Sequence, residues 1–88
     1  MIERTVQLLN KYGLHARPAT LFAERANSFS AEITVKKDEQ IVNGKSIFGI
    51  MMLGAEKGAT LIIRADGQDA EEAVSSLEEL ITNKFYEE

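Results

Sequence analysis

The change of hydrophobic periodicity along the chain is the feature that most restricts its fold. Residues 4–8 alternate polar and apolar side chains with a period of two, which is typical of a half-buried strand. Residues 16–27 instead repeat their apolar side chains at helical spacing. A short chain that changes between these periods is expected to pair its strands into one sheet and to cover that sheet with its helices.

The middle of the chain continues the same two patterns. Ser46 can cap a short helix, because its side-chain oxygen can accept a hydrogen bond from a free backbone N–H of the first turn. In chain order, the predicted elements are a strand at residues 32–36, a turn at 37–39, a strand at 40–43, a short helix from Ser46 to about residue 53, a loop at 54–58 and a strand at 60–65.

The last helix has the strongest pattern. Asp69 can act as its N-cap, with Glu72 three residues later completing a variant of the capping box. The apolar stripe that follows consists of Ala70, Ala73, Val74, Leu77, Leu80 and Ile81. Off that stripe lies an acidic and solvated face formed by Glu71, Glu72, Glu78 and Glu79. The resulting order, βαββαβα with short connections, predicts an α+β fold with three helices on one face of a four-stranded antiparallel sheet.

Composition excludes several kinds of protein. The 88 residues predict a single domain, and the absence of cysteine excludes disulfides, zinc–thiolate sites and thiol catalysis. One histidine leaves little material for a transition-metal site. A net charge of −4 gives no general attraction to nucleic acid, and no apolar run approaches the length of a membrane span. We therefore expect a cytoplasmic protein with no metal and no cofactor.

The chain's one histidine stands in the segment Gly-Leu-His-Ala-Arg-Pro-Ala at residues 13–19. Pro18 suits the first turn of a helix, and Gly13 permits a sharp turn before it. His15 would then lie beside the free N–H groups and the positive end of the helix dipole, with the Arg17 guanidinium two residues on. This arrangement suits a phosphate, and imidazole is a competent nucleophile near neutral pH. From spacing alone, a surface histidine near a helix start is an equally good interpretation.

The chain lacks the other common devices of phosphate chemistry and hydrolysis. It has no glycine-rich phosphate loop with a lysine, no Ser–His–Asp pattern and no obvious cleft with paired carboxylates. A domain of this size also has little interior for a deep pocket. A phosphoryl group on His15 would therefore come from one protein and leave to another, which indicates a carrier and not a stand-alone enzyme.

Three segments resemble the HPr family, the histidine-containing phosphocarriers of the bacterial sugar phosphotransferase system. They are residues 13–19, which are similar to its active-site motif, residues 43–50, which are similar to the segment around its regulatory serine, and residues 58–60, which are similar to the turn before its last strand. The resemblance implies an open-faced β-sandwich, a phosphoryl acceptor at His15 and a stabilising role for Arg17. It further implies Enzyme I as donor, IIA components as acceptors and phosphorylation of Ser46 by a dedicated kinase.

A carrier needs an exposed surface on which large partners can dock. On the first helix the candidates are Ala16, Thr20, Leu21 and Glu24, with Leu21 placed opposite the core stripe. Residues 47–53 are apolar all round, so Ile47, Phe48 and Met51 are predicted to point outward if Ile50 and Leu53 face the core. The alternative is that this run is entirely buried or forms a strand. HPr-like proteins bind partners through these two helices, which favours the docking interpretation.

Some features depart from the commonest pattern of that family. Tyr12 stands where a small polar residue is frequent, which puts in doubt any helper contact from that position. Residues 50–53 and the tail 83–88 resemble the nitrogen-related branch of the family, which signals and does not transport sugar, whereas Ser46 favours the kinase-regulated sugar branch. We expect a monomer of the sugar branch that can also contact an HPr kinase/phosphorylase and a transcriptional regulator.

Two proteins of other classes remain as alternatives. An acyl carrier protein is also small and acidic with a serine that opens a helix, but it is all-helical and has an acidic residue where this chain has Lys45. A non-catalytic regulatory domain with an α+β sandwich that binds a small ligand would fit the fold. That interpretation leaves the histidine motif at residues 13–19 unexplained.

Overall fold

Strand and helix segments alternate along the chain as its periodicity predicts. The computed structural model describes residues 1–87, so the last residue of the predicted domain and tail, Glu88, lies outside the described residues. The elements are β1 Ile2–Gln7, α1 Ala16–Asn27, β2 Glu32–Lys37, β3 Gln40–Asn43, α2 Ile47–Met52, β4 Thr60–Asp66, α3 Ala70–Thr82 and a final turn Lys84–Tyr86. The order βαββαβα is confirmed.

The four strands form one antiparallel sheet in the order β1-β4-β2-β3. Val35 on β2 lies opposite Ile63 on β4 and opposite Val42 on β3, which fixes the register across three strands. Along β4 the side chains of Leu61, Ile63 and Ala65 are buried, because alternate residues of a strand face the same side of a sheet. The sheet therefore has one face toward the core and one open face, as the predicted fold class requires.

The helices cover the inner face of the sheet with their apolar stripes. In α1 the buried residues are Pro18, Ala19, Phe22, Ala23 and Ala26. In α3 they are Ala70, Ala73, Val74, Leu77, Leu80 and Ile81. Both stripes agree with the helical spacing of the sequence. The open face of the sheet is polar at Arg64, whose guanidinium pairs with Glu3 directly opposite on β1.

Some boundaries and faces differ from the predictions. β1 begins two residues earlier than residue 4 and ends before Leu8, which is fully buried and exchanges backbone hydrogen bonds with Gly58 and Ala59 beyond the regular ladder. Leu21, predicted on the outward side of α1, is half-buried and packs against the core cluster. β2 and β4 each extend one residue further than predicted.

The predicted capping box at Asp69 is wrong. Asp69 does stand at the N-cap position of α3, but its side chain makes no bond to its own helix. Its two carboxylate oxygens instead accept the backbone N–H groups of Ser30 and Ala31, each at 2.8 Å. Asp69 thus ties the start of α3 to the connection between α1 and β2, about 39 residues earlier in the chain.

This contact predicts an acid-sensitive contribution to stability. The backbone N–H of Ser30 holds the pKa of Asp69 below its ordinary value of 3.8, the N–H of Ala31 and the charge of Lys45 act in the same direction, and burial opposes them. A carboxyl whose pKa is lowered on folding stabilises the fold above its unfolded pKa, and that contribution is lost as pH falls through the folded pKa. Asp69→Asn should therefore lower the urea midpoint at neutral pH, and the difference from wild type should shrink as the pH falls below 3.8.

The matched control is Asp66→Asn, because the side chain of Asp66 makes no hydrogen bond to the residues that the structure describes. It should leave the pH dependence of urea unfolding as in wild type. A midpoint for Asp69→Asn that stays parallel to wild type from neutral to acid pH would contradict the role assigned to the carboxylate.

Candidate functional site

A tight backbone junction delivers the chain into α1. Gly13 has a φ of +66°, and a Cβ at this position would lie 2.3 Å from the carbonyl oxygen of Ala55. Only glycine fits here, because a side chain would meet backbone atoms in a conformation that L residues rarely adopt. The next residue, Leu14, is buried and donates its N–H to the same Ala55 oxygen at 2.9 Å. The junction fixes where the following residue, His15, leaves the core.

His15 occupies the N-cap position of α1 with an exposed side chain. Its backbone is extended, at φ −76° and ψ −174°, and its carbonyl oxygen accepts the N–H of Ala19 at 3.0 Å. The imidazole makes no capping hydrogen bond, so the ring stays available beside the first turn. The N–H groups of Ala16 and Arg17 belong to that first turn, where a helix has no internal acceptors for them. The site therefore combines a nucleophilic ring with the anion-binding end of a helix.

Arg17 is the predicted cation of this site. It is exposed and makes no hydrogen bond or ion pair with residues 1–87. Pro18, the next residue, is buried in the first turn and has no N–H to donate, so it fixes the helix start without competing for an anion. An unpaired guanidinium in the same turn as the imidazole can turn toward a bound phosphoryl group.

Two further side chains contact the imidazole. The phenol ring of Tyr12 stands edge-on to it, with ring centroids 6.0 Å apart and an interplanar angle of 88°. The second contact is with the carboxylate of Glu87, whose Oε2 and Oε1 atoms lie 3.2 Å and 3.3 Å from His15 Nε2. Asn10, which is fully buried, donates its Nδ2 to Glu87 Oε1 at 2.9 Å and to the carbonyl of Gly13 at 2.7 Å.

Neither Asn10 nor Glu87 is predicted from the sequence as a residue of the site. They are separated by 77 positions, and each resembles an ordinary polar residue of a loop or a tail. Spacing rules detect neighbours on one strand or helix, whereas this contact depends on how the chain end returns to the first loop. The tail was noted only for its resemblance to one branch of a family.

The short helix α2 exposes a group of apolar side chains. Ile50 and Leu53 are buried, and the exposed fraction of Phe48 reaches 79%. Ile47 and Met51 are each about half as exposed, at 39%. We call the exposed side chains of Ile47, Phe48, Met51 and Met52 the apolar patch; Met52, at 71% exposed, was not among the predicted docking residues. The outward directions of the three predicted residues follow from the burial of Ile50 and Leu53.

α1 and α2 pack against each other, and contacts at their two ends indicate that they run in opposite directions. At one end, the Asn27 side chain of α1 donates to the Lys45 carbonyl just before α2, at 2.9 Å. At the other end, the junction of Leu14 with Ala55 joins the start of α1 to the residues after α2. The apolar patch therefore lies beside α1, between its two ends. Of the predicted docking residues of α1, Ala16 and Glu24 are exposed and Thr20 is half-buried.

Ser46 caps α2 as predicted. Its hydroxyl oxygen accepts the backbone N–H of Gly49 at 3.0 Å. Since α2 runs antiparallel to α1, Ser46 lies toward the end of α1 that carries Asn27, and His15 lies at the opposite end. The structure thus brings His15 and Arg17 together and places Ser46 apart from them, at the far side of the apolar patch.

The described part of the chain offers neither a metal-binding cluster nor a membrane-spanning helix. Among residues 1–87, no group of three or more histidine, cysteine, aspartate or glutamate side chains is placed to hold a metal ion. No helix in the same range is both long and apolar enough to cross a membrane.

Comparison with known proteins finds similarity over nearly the whole chain. Residues 2–83 match the family model described as the PTS HPr component phosphorylation site. The phosphocarrier protein HPr of Neisseria meningitidis serogroup A is 42% identical over 87 residues, which are 99% of this chain and 98% of that protein. The crystal structure of HPr-C-His from Thermoanaerobacter tengcongensis is 51% identical, covers 100% of this chain and 99% of its own, and superposes with a TM-score of 0.96. The structure of an HPr dimer from the same organism is 50% identical, with 97% and 98% coverage and a TM-score of 0.78.

Proposed function

The chain belongs to the HPr family, the phosphocarriers of the phosphotransferase system, and we propose that its phosphoryl acceptor is His15. In this proposal Enzyme I, charged by phosphoenolpyruvate, is the donor, and sugar-specific IIA components are the acceptors. The observation that carries the assignment is the exposed imidazole at the N-terminus of α1, with a guanidinium in the same turn that makes no ion pair within residues 1–87. Residues 1–88 would act as one carrier domain in the cytoplasm.

Such a site has to perform only one chemical step, the transfer of a phosphoryl group to the imidazole. An imidazole nitrogen attacks phosphorus, the bond from phosphorus to the donor breaks, and the donor keeps that electron pair. Phosphoryl transfer depends mostly on positioning and on stabilisation of charge, and little on covalent help from the protein. The first-turn N–H groups of Ala16 and Arg17 and the Arg17 guanidinium can neutralise a dianionic group while its phosphorus stays open to in-line attack.

His15→Ala should abolish labelling by Enzyme I and phosphoenolpyruvate. Wild type should gain one phosphate, measured as an increase in intact mass, and acid should remove it because phosphohistidine is labile to acid and stable to base. His15 is exposed, so the variant should keep a native circular dichroism spectrum and native unfolding. Labelling of the variant to the wild-type extent would show that the acceptor is another residue.

Arg17→Ala should slow phosphoryl transfer and spare the fold. Loss of the guanidinium removes stabilisation of the transferring group, so the rate should fall about 10-fold, equivalent to about 1.4 kcal/mol. Arg17→Lys keeps the positive charge but lacks the planar guanidinium, so its transfer rate should lie between those of wild type and Arg17→Ala. Arg64→Ala removes the same charge from the open face of the sheet and serves as the control. Transfer rates measured by rapid quench that are equal for Arg17→Ala and Arg64→Ala would reduce Arg17 to a solvated residue.

We assign partner docking to the apolar patch together with the exposed side of α1. A group of exposed apolar side chains next to a reactive residue is typical of a binding surface. Methionine adapts to partners of different shape, which a carrier with both a donor and several acceptors requires. In this proposal Enzyme I and the IIA components use the same surface in turn. The contacts from α1 come from Ala16, Thr20 and Glu24 and from the accessible part of the half-buried Leu21.

Ser46 would be the regulatory position of this surface. It is half-buried, its hydroxyl caps α2, and the neighbouring Ile47 and Phe48 belong to the apolar patch. A phosphate there would add about −1.5 to −2 charges at the edge of the patch. In a host that has an HPr kinase/phosphorylase, this modification would weaken the docking of Enzyme I and create a surface for a transcriptional regulator.

Ser46→Asp should weaken Enzyme I binding and slow the labelling of His15. Asn is an equally good cap without a charge, so Ser46→Asn separates capping from electrostatics. Titration calorimetry with Enzyme I should give a weaker affinity for the Asp variant and a wild-type affinity for the Asn variant, while both keep native circular dichroism. Equal affinities for the two variants would remove Ser46 from the regulatory role and leave it as a cap.

The branch and the oligomeric state of the chain follow from the same proposal. The Neisseria meningitidis protein and the two similar structures from Thermoanaerobacter tengcongensis are named HPr, which supports the sugar branch over the nitrogen-related signalling branch. We propose a monomer, because docking of large partners needs the apolar patch uncovered. One similar HPr has been solved as a dimer, so light scattering at working concentrations is the direct measurement.

A further inference from the structure

The last turn that the structure describes has an unusual backbone conformation. In the turn Lys84–Tyr86 the φ angles are +54°, +57° and +59°, although none of the three residues is glycine. Non-glycine residues adopt this region rarely, and they hold it only where the surroundings determine it. Here Phe85 is fully buried and belongs to the core cluster. The buried phenylalanine thus anchors this turn, and the residue that follows the turn, Glu87, contacts the loop before α1.

The carboxylate of Glu87 is held from two sides. Its side chain is only 14% exposed, whereas the His15 side chain beside it is 40% exposed. The fully buried amide of Asn10 donates both of its N–H groups, one to Glu87 Oε1 and one to the Gly13 carbonyl. This amide cannot be reversed, because its oxygen would then face two other oxygen acceptors. Asn10 therefore fixes the carboxylate, and the carboxylate meets His15 Nε2 at 3.2 Å.

This contact selects one form of the neutral imidazole. An ionised carboxylate can only accept a hydrogen bond, so the nitrogen that faces it must carry the proton. With Nε2 protonated, the lone pair of the neutral ring lies on Nδ1. The histidine of hydrolytic triads is oriented by an acidic partner on its Nδ1, the opposite nitrogen, and that partner also stabilises the positive charge that develops on the ring.

We propose that Glu87 is a positioning residue for phosphoryl transfer, held by Asn10 and by the turn Lys84–Tyr86, and that it keeps His15 in the Nε2–H form. This inference rests on the proposed function of His15. The electron pair of Nδ1 forms the new bond to phosphorus, the bond from phosphorus to the donor breaks, and its electron pair stays with the donor. The Nε2 proton remains on the ring, and the Glu87 carboxylate faces the positive charge that the ring acquires.

The first measurement is the tautomer of His15 in the protein without any partner. Nitrogen-15 chemical shifts distinguish a protonated from an unprotonated ring nitrogen, and they are read in alkaline buffer, where imidazoles are neutral. Wild type should be almost entirely in the Nε2–H form, and Glu87→Ala should raise the fraction of the Nδ1–H form. Glu87→Gln keeps an oxygen that accepts hydrogen bonds and should stay closer to wild type. Glu39→Ala, which removes an exposed carboxylate from the β2–β3 turn, is the control for charge.

The second measurement is the rate of phosphoryl transfer from Enzyme I to the same variants. Glu87→Ala should be slower by about 10-fold, the effect expected when a partner that fixes the orientation of a ring is lost. Glu87→Gln should recover most of that rate, and Glu39→Ala should match wild type. Urea unfolding of each variant checks that the fold is intact.

The outcomes distinguish a failure of the carrier function from a failure of the positioning role of Glu87. A wild-type chain that takes up no phosphate would overturn the carrier function itself, and with it any role of Glu87 in transfer. Normal labelling of wild type with an unchanged tautomer or an unchanged transfer rate in Glu87→Ala would overturn the positioning role alone. A changed tautomer together with a slower rate, both recovered in Glu87→Gln, supports it.

Discussion

The close approach of Gly13 to Ala55 holds the reactive end of the molecule together. Because Gly13 has no Cβ, the loop before α1 can lie against the backbone that follows α2, and the Leu14 N–H bonds the Ala55 oxygen. The same loop supplies the Gly13 carbonyl that accepts the Asn10 amide. One backbone junction therefore sets where His15 emerges and how α2 lies beside α1. It also fixes the buried amide that holds the Glu87 carboxylate.

The free-energy cost of the backbone conformation at Lys84–Tyr86 is similar in size to the stabilisation from the contacts that hold this turn. Three left-handed residues cost about 1–2 kcal/mol each, or about 3–6 kcal/mol together. Burial of Phe85 contributes about 1.5–3 kcal/mol, and the hydrogen bond from Asn10 to a charged carboxylate contributes about 1.5–3 kcal/mol. These two contacts therefore offset the backbone cost of the turn to within a few kcal/mol. Glu87 can orient His15 because Glu87 is itself held in place by the buried Phe85 and by the Asn10 amide.

What the sequence predicted well is what depends on neighbours along the chain. Periodicity placed α1 and β3 at their observed bounds and identified every buried residue of the α3 stripe. Predictions that needed a distant partner failed: Asp69 bonds Ser30 and Ala31, and not its own helix. Asn10 and Glu87 were missed for the same reason, since only the folded core brings residues so far apart together. At the candidate site, sequence motifs predicted His15, Arg17 and Ser46. The contacts of Asn10 and Glu87 around the His15 imidazole are visible only in the structure.

The antiparallel packing of α1 and α2 determines how a modification at Ser46 could act. α1 has 12 residues, so it is about 18 Å long, and His15 and Ser46 lie toward opposite ends of it. The screening length at physiological ionic strength is about 8 Å, so a phosphate on Ser46 would have little direct effect on the charge at His15. The apolar patch fills the interval between them, and Ile47 and Phe48 directly follow Ser46. A charge at Ser46 would therefore be felt by a partner seated on the patch, which separates control of docking from the chemistry of transfer.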